Sequence, residues 1–433
     1  MANSEGDMSL DTSPVPELSA QQRRCNLLLM LYPPFTAIQV EKIGQINGVD
    51  LATTQEDLAH LSTEVQRLHR LEIIVNDKQI YQLQGDLLDQ RICLINSLRR
   101  AIRTSPEFIR EHFTPLLAEA LSHNPDFDNP HYHNQFPLLL ERISQLLNRE
   151  FSVRDEQFLH LYLQFCLWQD IAPTQLSFSD TQREWLHAKP EFTAAEFIAC
   201  KLQTLCANNI AECEKDFIAL LLTLIKNYSY ESSGTPEDEK LMKQIEELVA
   251  NFQDVSGMTF SSYEGLISQL FAHLGPALER CRFDIPVDSQ MQDEVNRMYP
   301  RLMRTTRDAL QDFKRAYDVE FSPEEVGLVA VIFGAWLMQG NALQEKQILL
   351  LTDTNPELEE AVEHHIREAT LMPLNIKYQT LEEFYNHGAP SGVAMIVTPY
   401  ATLTTDADPL IIFTQLPLTK EERKRIRSLL EAH

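Results

Sequence analysis

The strongest constraint in this sequence is that part of it occurs twice. "YLQFCLWQ" (162–169) and "HLGPALER" (273–280) each open the second half of an apolar helix that follows an acidic start. "EKDFIALLL" (214–222) and "EEVGLVAVIF" (324–333) each run from an acidic helix start into continuous apolar sequence. Tyr162 lies 111 residues before His273, and Leu221 lies 111 before Ile332. Equal offsets at two separated landmarks indicate a tandem duplication. Between them, "PEFTAAEFIACKLQ" from Pro190 and "PRLMRTTRDALQDF" from Pro300 also correspond, with a one-residue gap. A repeated helical unit predicts two all-α bundles, over 125–228 and 238–342, separated by the polar "YSYESSGTPEDEK" (228–240).

In the second copy Leu266, Ile267, Leu270, Phe271, Leu274, Ala277 and Leu278 share one helical face. His273 falls at the edge of that stripe, with Gln269 and Arg280 on the polar flank. Two readings stand for it: a boundary histidine satisfied by packing, or an imidazole that reaches solvent as a nucleophile. Pro276 in the same helix frees the Ala272 carbonyl and predicts a kink. Ser322, Pro323 and Glu325 predict a capping box at the start of the copy's last helix, whose apolar body "VGLVAVIFGAWL" belongs at a bundle centre.

Ahead of the copies, residues 20–32 read as a short helix stopped by "PPF", followed by a second from a Thr36 cap to Gly48. A third runs from about Thr53 to Arg70, with Leu58, Leu61, Val65 and Leu68 on one face. "LEIIVNDKQIYQLQG" reads as two strands around an Asn-Asp-Lys turn. Three helices and a hairpin are the order of a winged helix-turn-helix, expected over 20–85, with the third as recognition helix. Glu56 and Asp57 at its start are poor chemistry for a phosphate-lined groove. A helical connector follows over 86–124, and "RICLINSLRRAIRTSPEFIR" within it sets Arg91, Arg99, Arg100, Arg103 and Arg110 against Glu107. The DNA-contact candidates are Arg67, His69, Arg70, Lys78, Arg99, Arg100 and Arg103; the plain alternative is a solvated helix face.

A net charge of −26 opposes broad attraction to nucleic acid, so duplex DNA binding needs such a local patch. Residues 1–19 are polar and acidic and read as a disordered tail, not a signal peptide. No apolar run of about 18 residues is present to span a membrane. Seven scattered cysteines without a C-x-x-C predict neither a disulfide framework nor a zinc site. A cytoplasmic protein without metal or cofactor is expected. No Walker loop, G-x-S-x-G or H-E-x-x-H occurs, and "HYH" (131–133) and "HH" (364–365) read as loop or solvated surface, so no enzyme is expected.

After 346 the pattern changes. "QILLL" (347–351), "LNIKY" (374–378), "VAMIVTP" (393–399) and "LIIFTQL" (410–416) read as buried strands among helices, a small α/β domain over 346–433 with a largely parallel sheet. Its ligand crevice belongs at the strand C-termini, beside "TDTNPE".

The two copies resemble the phosphotransferase-system regulation domain (PRD), an all-helical module of bacterial sugar-responsive regulators. In that family each module carries two phosphorylatable histidines. One lies in H-[IL]-x-x-A-[IL]-x-R, which His273, Leu274, Ala277, Leu278 and Arg280 match; the other ends E-[IV]-[GA]-Y-[IL]-A-L-H, matched by "EEVGLVAVI". The order of winged helix, two modules and an α/β tail extends the resemblance over most of the chain. It implies a homodimeric transcriptional regulator, a phosphotransferase phosphocarrier as partner, and a tail like an enzyme IIB domain. The sequence departs from the pattern at Tyr162, Leu221 and Ile332, which take three of the four histidine positions and leave His273 as the regulatory phosphorylation candidate. The tail lacks the enzyme IIB cysteine, and Asp353 stands where a phosphate would sit. These departures imply largely degenerate phosphorylation sites, and the acidic charge favours, as an alternative, an interaction protein of the phosphotransferase network that does not bind DNA.

Overall fold

In this computed structural model the described residues are 18–32, 39–76, 80–123, 129–168, 176–206, 212–226, 228, 235–287, 291–340, 343–400, 410–414 and 416–431. The tail at 1–17, the "PPF" break, Thr36 and Lys78 lie outside them. The chain divides into two units, 1–225 and 226–433.

The first unit opens with three helices and a hairpin. Helix α1 (Ala20–Met30) starts in a capping box between Ser19 and Gln22. Helix α2 (Val40–Asn47) stops at Gly48, whose φ of 70° ends it in a left-handed turn. Helix α3 (Leu51–His69) is capped by Asp50, which accepts from the Thr53 N–H, and buries Leu58, Leu61 and Val65 on the expected face. Strands β1 (Glu72–Val75) and β2 (Tyr81–Gln84) pair antiparallel, with Glu72 opposite Gln84. The long α4 (Leu87–Thr104) packs against α1 and buries Ile92, Cys93, Leu94, Ile95 and Leu98. A short α5 (Pro106–Phe108) passes through a π-type turn, Ile109–Phe113, into α6 (Thr114–Ser122).

Five helices then form the first copy: α7 (Asn129–Leu147), α8 (Val153–Trp168), α9 (Asp180–His187), α10 (Pro190–Cys206) and α11 (Glu212–Leu224). "HYH" is therefore helical rather than a loop, with Tyr132 fully buried between two exposed histidines.

The second unit repeats the order with α12 (Pro236–Ser256), α13 (Tyr263–Arg282), α14 (Met291–Met298), α15 (Pro300–Ala309), α16 (Gln311–Tyr317) and α17 (Pro323–Gln339). One helix of the first copy, α10, corresponds to two here, broken at Leu310. Helix α13 continues through Pro276 without interruption. Its Gly275 lies against the Tyr228 ring, where an added Cβ would come within 2.3 Å.

The chain ends in a four-stranded, wholly parallel sheet of order β4-β3-β5-β6. Its strands are β3 (Lys346–Thr352), β4 (Leu374–Thr380), β5 (Met395–Thr398) and β6 (Ile411–Phe413), with α18 (Pro356–Ala369), α19 (Leu381–His387) and α20 (Lys420–Glu431) between and after them. Central β3 is fully buried from Ile348 to Leu351, as both faces of a helix-covered parallel sheet require. Arg301 of α15 donates to the Ala369 carbonyl at 3.0 Å and to Glu431 at 2.7 Å, and thereby ties the helices of the second copy to α18 and α20.

Candidate functional site

Helices α13 and α17 bring His273, Arg280 and Glu325 together. His273 and Arg280 are seven residues apart and so share a face of α13. Glu325 enters from the first turn of α17. The expected capping box there is half formed. Ser322 Oγ accepts from the Glu325 N–H at 3.3 Å, but the Glu325 carboxylate turns away from the cap into the bundle. There it accepts a fork from Arg280, Nε at 2.6 Å and a terminal nitrogen at 3.1 Å. A two-bond charge-assisted pair is stronger than one backbone bond at a cap, which explains the departure. His273 Nε2 lies 3.3 Å from the same carboxylate, close enough to pair but too oblique for a full hydrogen bond. Burial alone would raise the Glu325 carboxyl; contact with His273 and the Arg280 fork outweigh it and hold the group below its ordinary range. The His273 side chain keeps 17% of its surface in solvent, and Arg280 stands beside it. An oriented, partly open imidazole next to a guanidinium is equipped to receive an anionic group.

The first copy holds a different version of the same site. The repeat offset that maps Tyr162 onto His273 also maps Glu214 onto Glu325. It maps Arg280 back onto Gln169, which carries no charge and lies outside the described residues. The missing cation comes from another helix. Arg91 of α4 donates to Glu214 Oε2 at 3.2 Å and to the Tyr162 hydroxyl at 3.0 Å. Cys166 donates to Glu214 Oε1 at 3.0 Å, and the Tyr162 hydroxyl lies 3.5 Å from the same oxygen. The rings of Phe165, Tyr162 and Phe217 stand 5.3–5.9 Å from the guanidinium. Burial works against the charge on Arg91, but Glu214, Tyr162 and Cys166 together more than offset it and keep the group a cation. Burial raises the Tyr162 hydroxyl and the Cys166 thiol, so both act as neutral donors. Tyr162 is wholly buried and Arg91 is 2% exposed. One copy therefore has an open site and the other a sealed one. Arg91 does not belong to the surface charge of α4, where its sequence neighbourhood placed it. Leu221 and Ile332 are buried core residues.

Among the described DNA-contact candidates, Arg70, Arg99 and Arg100 bond to groups of the same chain. Arg67 and Arg103 are exposed and His69 is half-buried. Arg70 ends α3 in a left-handed turn and pairs with Asp89 at 2.5 Å. Arg100 reaches Glu64 at 3.4 Å, and Arg99 donates to the Leu224 carbonyl at 3.3 Å. Asp57 is buried and pairs with Arg23 at 2.6 Å, so it shapes the fold and not a groove-facing surface; Glu56 is exposed.

In the C-terminal sheet, β3 and β5 are the neighbours at which the strand order reverses, and the loops after them define the crevice. That crevice is occupied by the chain itself. Glu359 accepts from the Asp353 N–H at 2.8 Å and from the Tyr400 hydroxyl at 2.9 Å, and the Asn355 N–H donates to the Tyr400 oxygen at 3.1 Å. Backbone donors that would otherwise face an anion thus meet a carboxylate and a phenol of the same chain.

No helix among the described residues is long and apolar enough to cross a membrane. No cluster there has the donors to hold a metal ion. Residues 246–336 match the PRD domain, and 346–430 match the domain described as stationary phase-inducible protein CsiE, C-terminal domain. The sequence is 38% identical to the stationary phase-inducible protein CsiE of Escherichia coli (strain K12) over 97% of this chain and 99% of that one. It is 24% identical to the transcriptional regulator ManR of Bacillus subtilis (strain 168) over 48% of this chain and 33% of that one.

Proposed function

The chain belongs to the CsiE family of stationary phase-inducible proteins, and from that premise we propose that it is a cytoplasmic, non-enzymatic regulator in which His273 is the one working phosphorylation site among the four family histidine positions. The contrast between the two copies carries this reading. His273 is partly open and held between Glu325 and Arg280, whereas Tyr162, at the corresponding position, is sealed around Arg91. Phosphorylation would add a charge of about −1.5 to −2 beside Arg280 and compete with Glu325 for it. Residues 125–228 and 238–342 serve in this reading as two PRD modules that mediate homodimerisation. Residues 346–433 serve as an enzyme IIB-like docking domain without a nucleophile. Residues 20–85, with helices α1–α3 and the β1–β2 hairpin, act as a winged helix on duplex DNA, joined to the modules by the 86–124 connector.

Incubation of the full chain with phosphoenolpyruvate, its phosphotransferase and the phosphocarrier tests the site. The wild type takes up label on the peptide containing His273, and in His273→Ala that peptide stays unlabelled; no label on the peptide containing His273 in the wild type would refute the assignment. A second reading, an interaction protein of the phosphotransferase network without DNA affinity, is favoured by the pairing of Arg70 and Arg100 with acids. Gel shifts on genomic fragments at low salt separate the two, because DNA binding weakens steeply as salt rises.

A further inference from the structure

The first copy carries a second histidine–carboxylate arrangement, at none of the four family positions. His187 ends α9, and its Nε2 lies 2.8 Å from Asp216 Oδ1 on α11. Asp216 is 4% exposed, while the His187 side chain is 46% exposed. Arg183, one turn earlier on α9, places Nε 3.5 Å from the other Asp216 oxygen and is itself about half exposed. The imidazole also packs on Phe192, ring centroids 3.9 Å apart. It is fixed through one nitrogen and one face and open at the rest. Among the described residues nothing bonds Nδ1.

Asp216 is an odd residue for its place. In the repeat it corresponds to Gly327, within a motif that asks for a small residue. A carboxylate here has been sunk into the bundle and covered by a histidine and an arginine from α9. Such a carboxylate accepts a hydrogen bond from Nε2–H, fixes the tautomer and leaves the lone pair on Nδ1 of a half-exposed ring. Arg183 supplies a cation within reach of an incoming anion.

We propose that His187 is a phosphoryl acceptor, with Asp216 as its orienting group and Arg183 as the anion-steadying cation. The donor is a phosphoramidate-class compound or protein, one that carries its phosphoryl group on nitrogen. His187 Nδ1 attacks phosphorus, and the Nδ1–P bond forms as the donor P–N bond breaks. The donor nitrogen, already protonated in the donor, takes the electron pair of the broken bond and leaves as a neutral amine or imidazole. The proton on Nε2 stays in place, and the positive charge of the phosphorylated ring is met by Asp216. This proposal rests on the reading of the helical copies as phosphoryl-responsive modules, but it concerns a different residue and a different peptide from His273.

The full chain is incubated with potassium phosphoramidate, and acid-labile phosphate on each histidine peptide is measured by mass spectrometry over time. His60, exposed on α3, serves as the internal reference. His187 should react at least about tenfold faster than His60, as expected of an oriented base. Asp216→Asn should reduce it to the reference rate, and so should Asp216→Gly, which copies the residue of the second repeat and guards against misfolding of the first variant. His273→Ala should leave the His187 rate unchanged. Equal rates at His187 and His60, or no change in either Asp216 variant, would overturn the proposal. Label on the His187 peptide without label at His273 would uphold it while the His273 reading fails.

Discussion

Replacing Arg91 by methionine leaves Glu214 as a buried carboxylate whose side chain is 6% exposed, with Tyr162 and Cys166 as its remaining side-chain donors among the described residues. Removing one partner of a buried ion pair typically costs about 3–5 kcal/mol, because the remaining charge is uncompensated. The loss should fall in the upper half of that range. The guanidinium also stands among three aromatic rings, and its removal opens space between α4, α8 and α11. Methionine fills part of that space and adapts to irregular gaps, so the cavity adds little. The double variant Arg91→Met, Glu214→Gln removes the stranded charge and should recover more than about half of the loss. Arg103→Met, an exposed arginine on the same helix, is the control and should stay within about 0.5 kcal/mol. The assay is urea denaturation of the full chain followed by tryptophan fluorescence, with Trp168 and Trp185 both in the first unit. A cost below about 1 kcal/mol for Arg91→Met, or a double variant no more stable than the single, would refute the view that Arg91 is the cation of the Glu214 site.

Three further outcomes follow from the geometry. His160, held down to about 4 by burial and by the neighbouring His133, is more easily protonated unfolded than folded; its contribution is complete above about pH 6.5 and declines as pH falls toward 4, so His160→Phe, which copies Phe271 of the second repeat, should flatten the acid limb of a stability-versus-pH curve by no more than about 2 kcal/mol after solvent screening. Gly275→Ala drives a methyl group into the Tyr228 ring and should lower the second unit's stability by about 1–3 kcal/mol in the same denaturation assay, unless Tyr228→Ala accompanies it. Peptides from 347–433 should carry no label after incubation with the phosphorylated carrier, since Glu359 and Tyr400 already hold the backbone donors of the crevice; label there would show that the loop can open.

The helices of both units were legible because apolar periodicity survives substitution. All seven residues assigned to the inner face of α13 are buried, and the four C-terminal strands lie where continuous apolar runs placed them. The edge position of His273 was legible for the same reason. Its partner Glu325 was misread, because a glutamate three residues after a serine is a local signal for a cap, and nothing local reports a guanidinium arriving from another helix. Arg91 was hidden in the same way. It stands in a run of arginines that looks like solvated charge, and only the fold shows that it points inward across 123 residues of sequence to Glu214. One signal was available in the sequence. The offset that pairs Tyr162 with His273 also pairs Glu214 with Glu325, and a charge retained at equivalent buried positions while both neighbours change asks where each copy finds its cation.

The borrowed arginine also bears on how the chain can be cut. The repeat suggests two interchangeable pieces, each of which could be excised, swapped or expressed alone. The second piece holds its own counter-charge in Arg280. The first does not, and a fragment that begins at its own first helix leaves behind the residue on which its interior charge depends. Boundaries drawn by homology and boundaries drawn by cohesion therefore disagree in this protein. A self-standing fragment of the first repeat has to begin before Leu87 and carry α4 with it.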